Sequence, residues 1–288
     1  MGLSTTWIQN IQTLPVLPQV AMRITERMQS PTATIEEIST LIKSDIGLTT
    51  RILRLANSSY YSIPGGVSDV HKALQYLGFN TVAQLVLTAS VFGSFRTQGT
   101  RDFPLRSFWT HSFAVGLFSE ITARSLQLKN PSDSFVGGLM HDMGKLIELE
   151  LQPDLLNKIV KHAQEKHTSF IDAETDLEVP THVELGMELA KHWHLPNPVL
   201  FSIQYHHKAL ANDAVALKEI PREALIVSWA NLWVNMNKIG SSGNDCSYDD
   251  AVDVAFADKI GVSGKQRATI VEHFNKEFEK AGAILSGS

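Results

Sequence analysis

The chain has 288 residues, 43% of them hydrophobic and 19% charged, enough apolar material for the core of one large domain or two ordinary ones. Its 25 Lys and Arg against 30 Asp and Glu leave a formal net charge of -5, which excludes the broad positive field that holds nucleic acid or an anionic membrane surface. A single cysteine, Cys246, excludes an internal disulfide and any thiolate cluster, and without a basic leader or a run of roughly 18 apolar residues a soluble, cytoplasmic protein is expected.

In chain order, the apolar residues recur at helical spacing from Pro18 onward, first as Val20, Ile24 and Met28, then as Ile35, Ile38, Leu41 and Ile42. Thr34 with Glu37 three residues later forms a capping box, and Asp45 caps "IGLTTRILRLANSS" in the same way. Asn57 and "SIPGG" stop that helix, Ser68 or Asp69 starts "VHKALQYL", Gly78 ends it, and Asn80 caps "TVAQLVLTASVFGSF". The polar stretch Arg96 to Pro104 reads as a junction. Beyond it, helices are expected over "LRSFWTHSFAVGLFSEITARSL", Ser134 to Leu151, Pro153 to Lys166, His182 to His194, Pro198 to His207, Pro221 to Lys238, Tyr248 to Ile260 and Lys265 to Leu285. "ALANDAVALKEI" and "GSSGNDCS" read as loose loops, and alternating strand patterns are scarce. The expectation is an all-α protein of two packed helical subdomains, residues 1–96 and 97–288.

With no cysteine cluster, the eleven histidines are the resource for metal or proton chemistry. His111, His141 beside Asp142, His182, and the pair His206 and His207 fall on separate predicted helices, and helical bundles build metal sites from imidazoles and carboxylates on facing helices. Neighbouring side chains on one helix diverge by about 100°, so His141 and Asp142 can flank a metal pair with the carboxylate bridging two ions. Lys145, three residues after Asp142, lies on the same side, where its ammonium suits a phosphate oxygen. Gly137, Gly138 and Gly144 each cost a helix about 1 kcal/mol, which points to close approach by another element. Taken singly, the same residues have plainer readings. His111 lies among Phe108, Trp109 and Phe113 as a core histidine would, Asp142 and Lys145 can be a simple ion pair, and His206 and His207 can be a helix end favoured by the dipole.

The order His111, His141-Asp142 with Gly144-Lys145, His182, His206-His207 is similar to the HD superfamily of metal-dependent phosphohydrolases, especially its HD-GYP phosphodiesterase branch. "LPVLPQVAMRI", "IKSDIGLTTRILRLANSSYYS" and "VSDVHKALQYLGFNTVAQLVL" resemble the signature of the HD-related output domain family, HDOD, in which a helical half precedes an HD-like half. The resemblance implies metal ligands at His111, His141, Asp142, His182, His206, His207 and Asn231, with Asp142 and Lys145 as the catalytic residues of an active enzyme. HD-type enzymes use divalent metals to orient a phosphate and acidify a bound water, whereas HDOD proteins are regarded chiefly as signalling modules.

The sequence also departs from the enzymes. Asn231 stands where a catalytic HD protein carries its last aspartate, Ser107 where three-metal HD-GYP enzymes carry a glutamate, and "KALANDAVALKEI" replaces the GYP motif. One or two ions of Fe, Mn, Ni or Zn suit this imidazole-rich set better than Mg. One expectation is a signalling module with a metal- or phosphate-binding pocket between its halves, able to take phosphate or a nucleotide-like ligand and acting through a protein partner, without nucleic acid or membrane. The alternative is an active phosphohydrolase or phosphodiesterase, and a third reading is a purely structural scaffold.

Overall fold

The structure, a computed structural model, describes residues 3–14, 19–28, 32–57, 63–79, 81–82, 85–86, 89–90, 95, 99–207 and 219–286. Among the described residues every regular element is a helix, and an isolated bridge between Gly99 and Pro104 is the extent of β pairing. By packing, residues 1–14 and 97–274 form one compact unit and residues 15–96 and 275–288 the other, so the chain ends are exchanged relative to a simple cut after residue 96. The aromatic residues of "SSYYSIPGG" and most of "KALANDAVALKEI" lie outside the described residues. No helix among them is long and apolar enough to cross a membrane.

The first helix, α1 (Thr5–Gln12), is capped by the Ser4 side chain and precedes the first element the apolar spacing revealed. Four helices of the second unit follow: α2 (Gln19–Met28), α3 (Ile35–Lys43), α4 (Ile46–Ala56) and α5 (Val70–Leu77). The expected Thr34–Glu37 capping box closes the start of α3, and Asp69 caps α5. Ile24, Ile38, Ile42, Ile52 and Leu74 meet in the core of this unit. Asn57 pins the turn after α4 by exchanging two 2.6 Å hydrogen bonds with the backbone of Val67.

In the larger unit the order is α6 (Leu105–Ser125), α7 (Pro131–Met140), α8 (Met143–Leu151), α9 (Pro153–Lys166), α10 (Phe170–Asp176), α11 (His182–His192), α12 (Asn197–Tyr205), α13 (Arg222–Met236), α14 (Asp250–Lys259) and the start of α15 (Gly264–Ser286), whose residues from Asn275 onward belong to the other unit. Helices α6 and α7 lie backbone to backbone, for a Cβ on Gly138 would stand 2.8 Å from the Gly116 backbone. Helix α13 is buried on nearly every side, with Trp233 stacked on Phe118 at 4.6 Å between ring centres. Burying an aromatic or large aliphatic side chain contributes roughly 1.5–3 kcal/mol.

Two expectations change. The predicted single helix from Ser134 to Leu151 is two, α7 and α8, broken at His141 and Asp142. Asp142, at φ -102° and ψ 15°, leaves helical geometry and caps nothing with its side chain, because its carboxylate is turned inward. Helix α10, capped by Ser169, lies in a stretch where no helix was expected.

Candidate metal centre

The break between α7 and α8 points the His141 ring and the Asp142 carboxylate into the core of the larger unit, where both are buried. Helix α11 brings His182 at its first turn, and the end of α12 brings His206 and His207. Two groups result, Asp142 with His182, His206 and His207, and Asp142 with His111 and His141, and within each group one donor atom per residue lies within 4.8 Å of the others. All these residues belong to residues 97–274, so the site lies within one unit rather than between two halves.

The ring orientations test whether a cation fits. His141 Nδ1 donates to the Gly138 carbonyl at 2.6 Å, His182 Nδ1 to Glu174 Oε2 at 2.8 Å and His206 Nδ1 to the Ile203 carbonyl at 2.9 Å. Each acceptor can only accept, so each ring keeps its proton on Nδ1 and turns Nε2 inward. His182 Nε2 and His206 Nε2 both stand 3.3 Å from Asp142 Oδ1, and His182 Nε2 faces Nε2 of His206 at 3.3 Å and of His207 at 3.0 Å. Bare ring nitrogens at such distances repel unless a cation or proton stands between them. His141 Nε2 and Asp142 Oδ1 are buried without a hydrogen-bond partner, as metal donors are before loading.

The electrostatics agree. Burial pushes His111 down to about 3 and His206 down to about 4, and burial with the neighbouring His206 and His182 holds His207 well below the ordinary imidazole value, so these rings are neutral. Burial also works against ionised Asp142, yet the charges of His141 and Lys145 hold it well below the usual carboxylate range. For His182 burial is outweighed by the Glu174 carboxylate, which raises it. Imidazoles around one carboxylate suit a borderline divalent ion such as Fe, Mn, Ni or Zn.

The other predicted residues are placed differently. Asn231 Oδ1 accepts from Asn235 Nδ2 at 2.8 Å and lies 3.1 Å from His111 Nε2. The His111 ring is therefore a donor to Asn231 in this arrangement, and the His111–His141–Asp142 group is the thinner of the two. Lys145, fully buried, donates to Asp142 Oδ2 at 2.7 Å and to the Ser242 carbonyl at 2.8 Å, and stands 4.6 Å from the centre of the Phe170 ring. Its three N–H groups are thus engaged, so it neutralises Asp142 rather than presenting a free ammonium to phosphate. The segment expected as a loose loop is tied down as well: Ser241 N donates to Ser107 O, Asn244 Oδ1 accepts from Phe170 N and Asp245 N donates to Thr168 O.

Sequence reasoning missed Glu148 and Glu174, both fully buried. The spacing of Phe170, Ala173 and Glu174 behind the Ser169 cap was the available signal. Burial, then the neighbouring Glu174 carboxylate, push Glu148 well above the usual carboxylate range, so Glu148 is a neutral acid. A raised folded-state pKa means that the folded chain binds the proton more tightly than the unfolded one, so this contribution is present at low pH and is lost as pH rises above the ordinary value of 4.5. Glu148→Gln removes that loss. The stability of the variant relative to wild type should grow from about pH 4.5 upward, by at most about 1.4 kcal/mol per pH unit, in urea unfolding of metal-free protein. A difference that stays flat with pH would show that Glu148 is ionised in the fold.

The HDOD domain family profile matches residues 14–209. An uncharacterized protein of Treponema pallidum strain Nichols is 25% identical over 206 residues, which are 71% of this chain, and the match spans only 40% of that relative's length. Among solved structures, an HDOD domain protein of unknown function from Geobacter sulfurreducens is 24% identical with a TM-score of 0.81 and 98% of both chains covered. A Shewanella amazonensis SB2B protein, provisionally described as a phosphohydrolase, is 21% identical with a TM-score of 0.74, covering 97% of this chain and 98% of that one. At these identities the structural likeness concerns the fold, while the profile spans most of the chain and includes His111, His141, Asp142, His182, His206 and His207. The chain belongs to the HDOD domain family.

Proposed function

We propose that this HDOD protein is a cytosolic signalling module that holds one divalent ion on Asp142, His182, His206 and His207, and whose output is a contact with a protein partner rather than turnover. The observation that carries the reading is the convergence of the inward-facing ring nitrogens of His182, His206 and His207 on the buried Asp142. Burial of the donors and full engagement of Lys145 favour holding over hydrolysis, because closed metal sites are structural and catalytic ones keep an open position. His207 is the partly exposed member of the set, and a phosphate or nucleotide-like anion would reach the ion from its side. The lone cysteine suits a reducing compartment.

Metal analysis of protein purified without added metal, beside His141→Ala/Asp142→Ala, tests the ion. Equal metal content in the two preparations overturns the site. A phosphodiester assay with Mn²⁺, Fe²⁺ and Ni²⁺ tests the absence of turnover, and metal-dependent hydrolysis lost in His182→Ala would make the protein an enzyme.

A phosphohydrolase is the second reading, favoured by the sharing of Asp142 between two donor groups and by the description of the Shewanella relative. A bound divalent ion supplies Lewis acidity and lowers the pKa of its water. The chain's own deficit is at Asn231, a neutral amide already accepting from Asn235. Asn231→Asp adds an anionic oxygen beside His111 and is expected to raise metal content from about one to about two ions per chain, with phosphodiester hydrolysis appearing if this reading holds. Unchanged metal content would show that the second group is not short of a carboxylate.

A further inference from the structure

We propose that Glu174 is the positioning residue of the metal site, fixing His182 as an Nδ1–H tautomer. The inference rests on the metal reading above for its consequence, but its geometry stands on its own residues. Glu174 is fully buried on the short helix α10 and grips His182 at two points. Oε1 accepts the His182 backbone N–H at 2.6 Å and Oε2 accepts the ring Nδ1–H at 2.8 Å. The first bond fixes where α11 begins and the second fixes the ring about its own axis, so a single carboxylate sets both the position and the protonation of the ligand nitrogen.

Phe170, four residues before Glu174, packs edge-on against the His182 ring at 5.6 Å between centres and carries the Lys145 ammonium on its face. Its own backbone N–H is held by Asn244. Helix α10 is thereby anchored from both sides.

Glu148 on α8 adjoins the arrangement. Its two oxygens are buried with no partner among the ordinary donors, and the group beside it is Glu174. Two buried carboxyls side by side cannot both ionise. Glu174 accepts two N–H bonds, both from His182. The geometry therefore runs from the Glu174 carboxylate to His182 Nδ1–H, leaving His182 Nε2 3.3 Å from Asp142 Oδ1. Partners of metal-bound histidines commonly act in this way.

Glu174→Gln keeps the size of the side chain but offers one acceptor and one amide donor where two acceptors are needed. With the amide toward the ring, His182 must take the Nε2–H tautomer, which places a proton on the ligand nitrogen. The tautomer is read on metal-free protein by long-range ¹H–¹⁵N correlation, with the His182 signals assigned by their loss in His182→Gln, and Ni²⁺ affinity is read by titration calorimetry. Wild type is expected to show Nδ1–H. Glu174→Gln should shift toward Nε2–H and bind Ni²⁺ about 10- to 100-fold more weakly.

A merely structural role would lower the melting temperature without moving the tautomer. An unchanged tautomer in Glu174→Gln overturns the proposal. If wild type binds no Ni²⁺ while the tautomer shift occurs, the positioning role stands and the metal reading falls.

Discussion

Asp142→Ala is expected to empty both donor groups of metal and to destabilise the metal-free protein by about 3–5 kcal/mol. The first effect follows because Asp142 is the one carboxylate shared by the two groups, so its loss leaves imidazoles alone. The second follows from Lys145. Its ammonium is fully buried and, among the described residues, its ion-pair partner is Asp142 Oδ2 at 2.7 Å, with the Ser242 carbonyl and the Phe170 ring also against it. Removing one partner of a buried pair leaves an uncompensated charge, whereas removing both costs far less. Asp142→Ala/Lys145→Met should therefore recover most of the lost stability while remaining metal-free. Urea unfolding of the three proteins after chelation, with metal analysis before it, checks both parts. A double variant no more stable than the single one would mean that Lys145 does not depend on Asp142 for its charge balance.

Gly144→Ala should be among the most damaging substitutions in the larger unit, costing about 3 kcal/mol or more and abolishing metal uptake. A Cβ at Gly144 would collide with the carbonyl group of His182 and stand 2.9 Å from Gly186 N. Both obstacles are backbone, so α8 and α11 would have to separate. Separation carries His182 Nε2 away from its 3.3 Å approach to Asp142 Oδ1. Gly264→Ala is the control, since a Cβ there meets nothing within 4 Å and a helix gains from the replacement of glycine by alanine. The experiment is thermal unfolding and Ni²⁺ binding of the two variants side by side. A Gly144→Ala protein that melts and binds as wild type would refute the close packing of the two backbones.

How far the fold and site could be read in advance depends on the range of the interactions involved. The Thr34–Glu37 box and the Asp69 cap are contacts within three residues, and the periodicity of Ile35 to Ile42 is a local pattern; all three stand as expected. The break at His141 and Asp142 was hidden because Gly137 to Leu151 carries no proline and keeps an apolar period. Asp142 is bonded to Lys145, and Gly144 beside it meets the backbone of His182, some forty residues away, a contact that no local pattern carries. Helix α10 escaped notice because seven residues with three acidic side chains make a weak periodic signal, and the stretch from Ser241 to Asp245 read as loose because its anchors on Ser107, Thr168 and Phe170 are remote in sequence.

The resemblance to the HD superfamily implied the ligand order and the deficit at Asn231; the sequence by itself determined that the protein is helical and that its imidazoles and one aspartate fall on separate helices. Those are properties of residue type, spacing and local propensity, which the chain carries whether or not it is folded. Only the tertiary structure decided that His111 turns to Asn231, that Lys145 is consumed by Asp142, Ser242 and Phe170, and that Glu148 and Glu174 stand behind His182. A ligand nitrogen is made available or withheld by which partner its ring meets, and a carboxyl is charged or neutral by what is buried beside it. Both are set by atoms brought together across the fold, and periodicity along the chain carries no record of them.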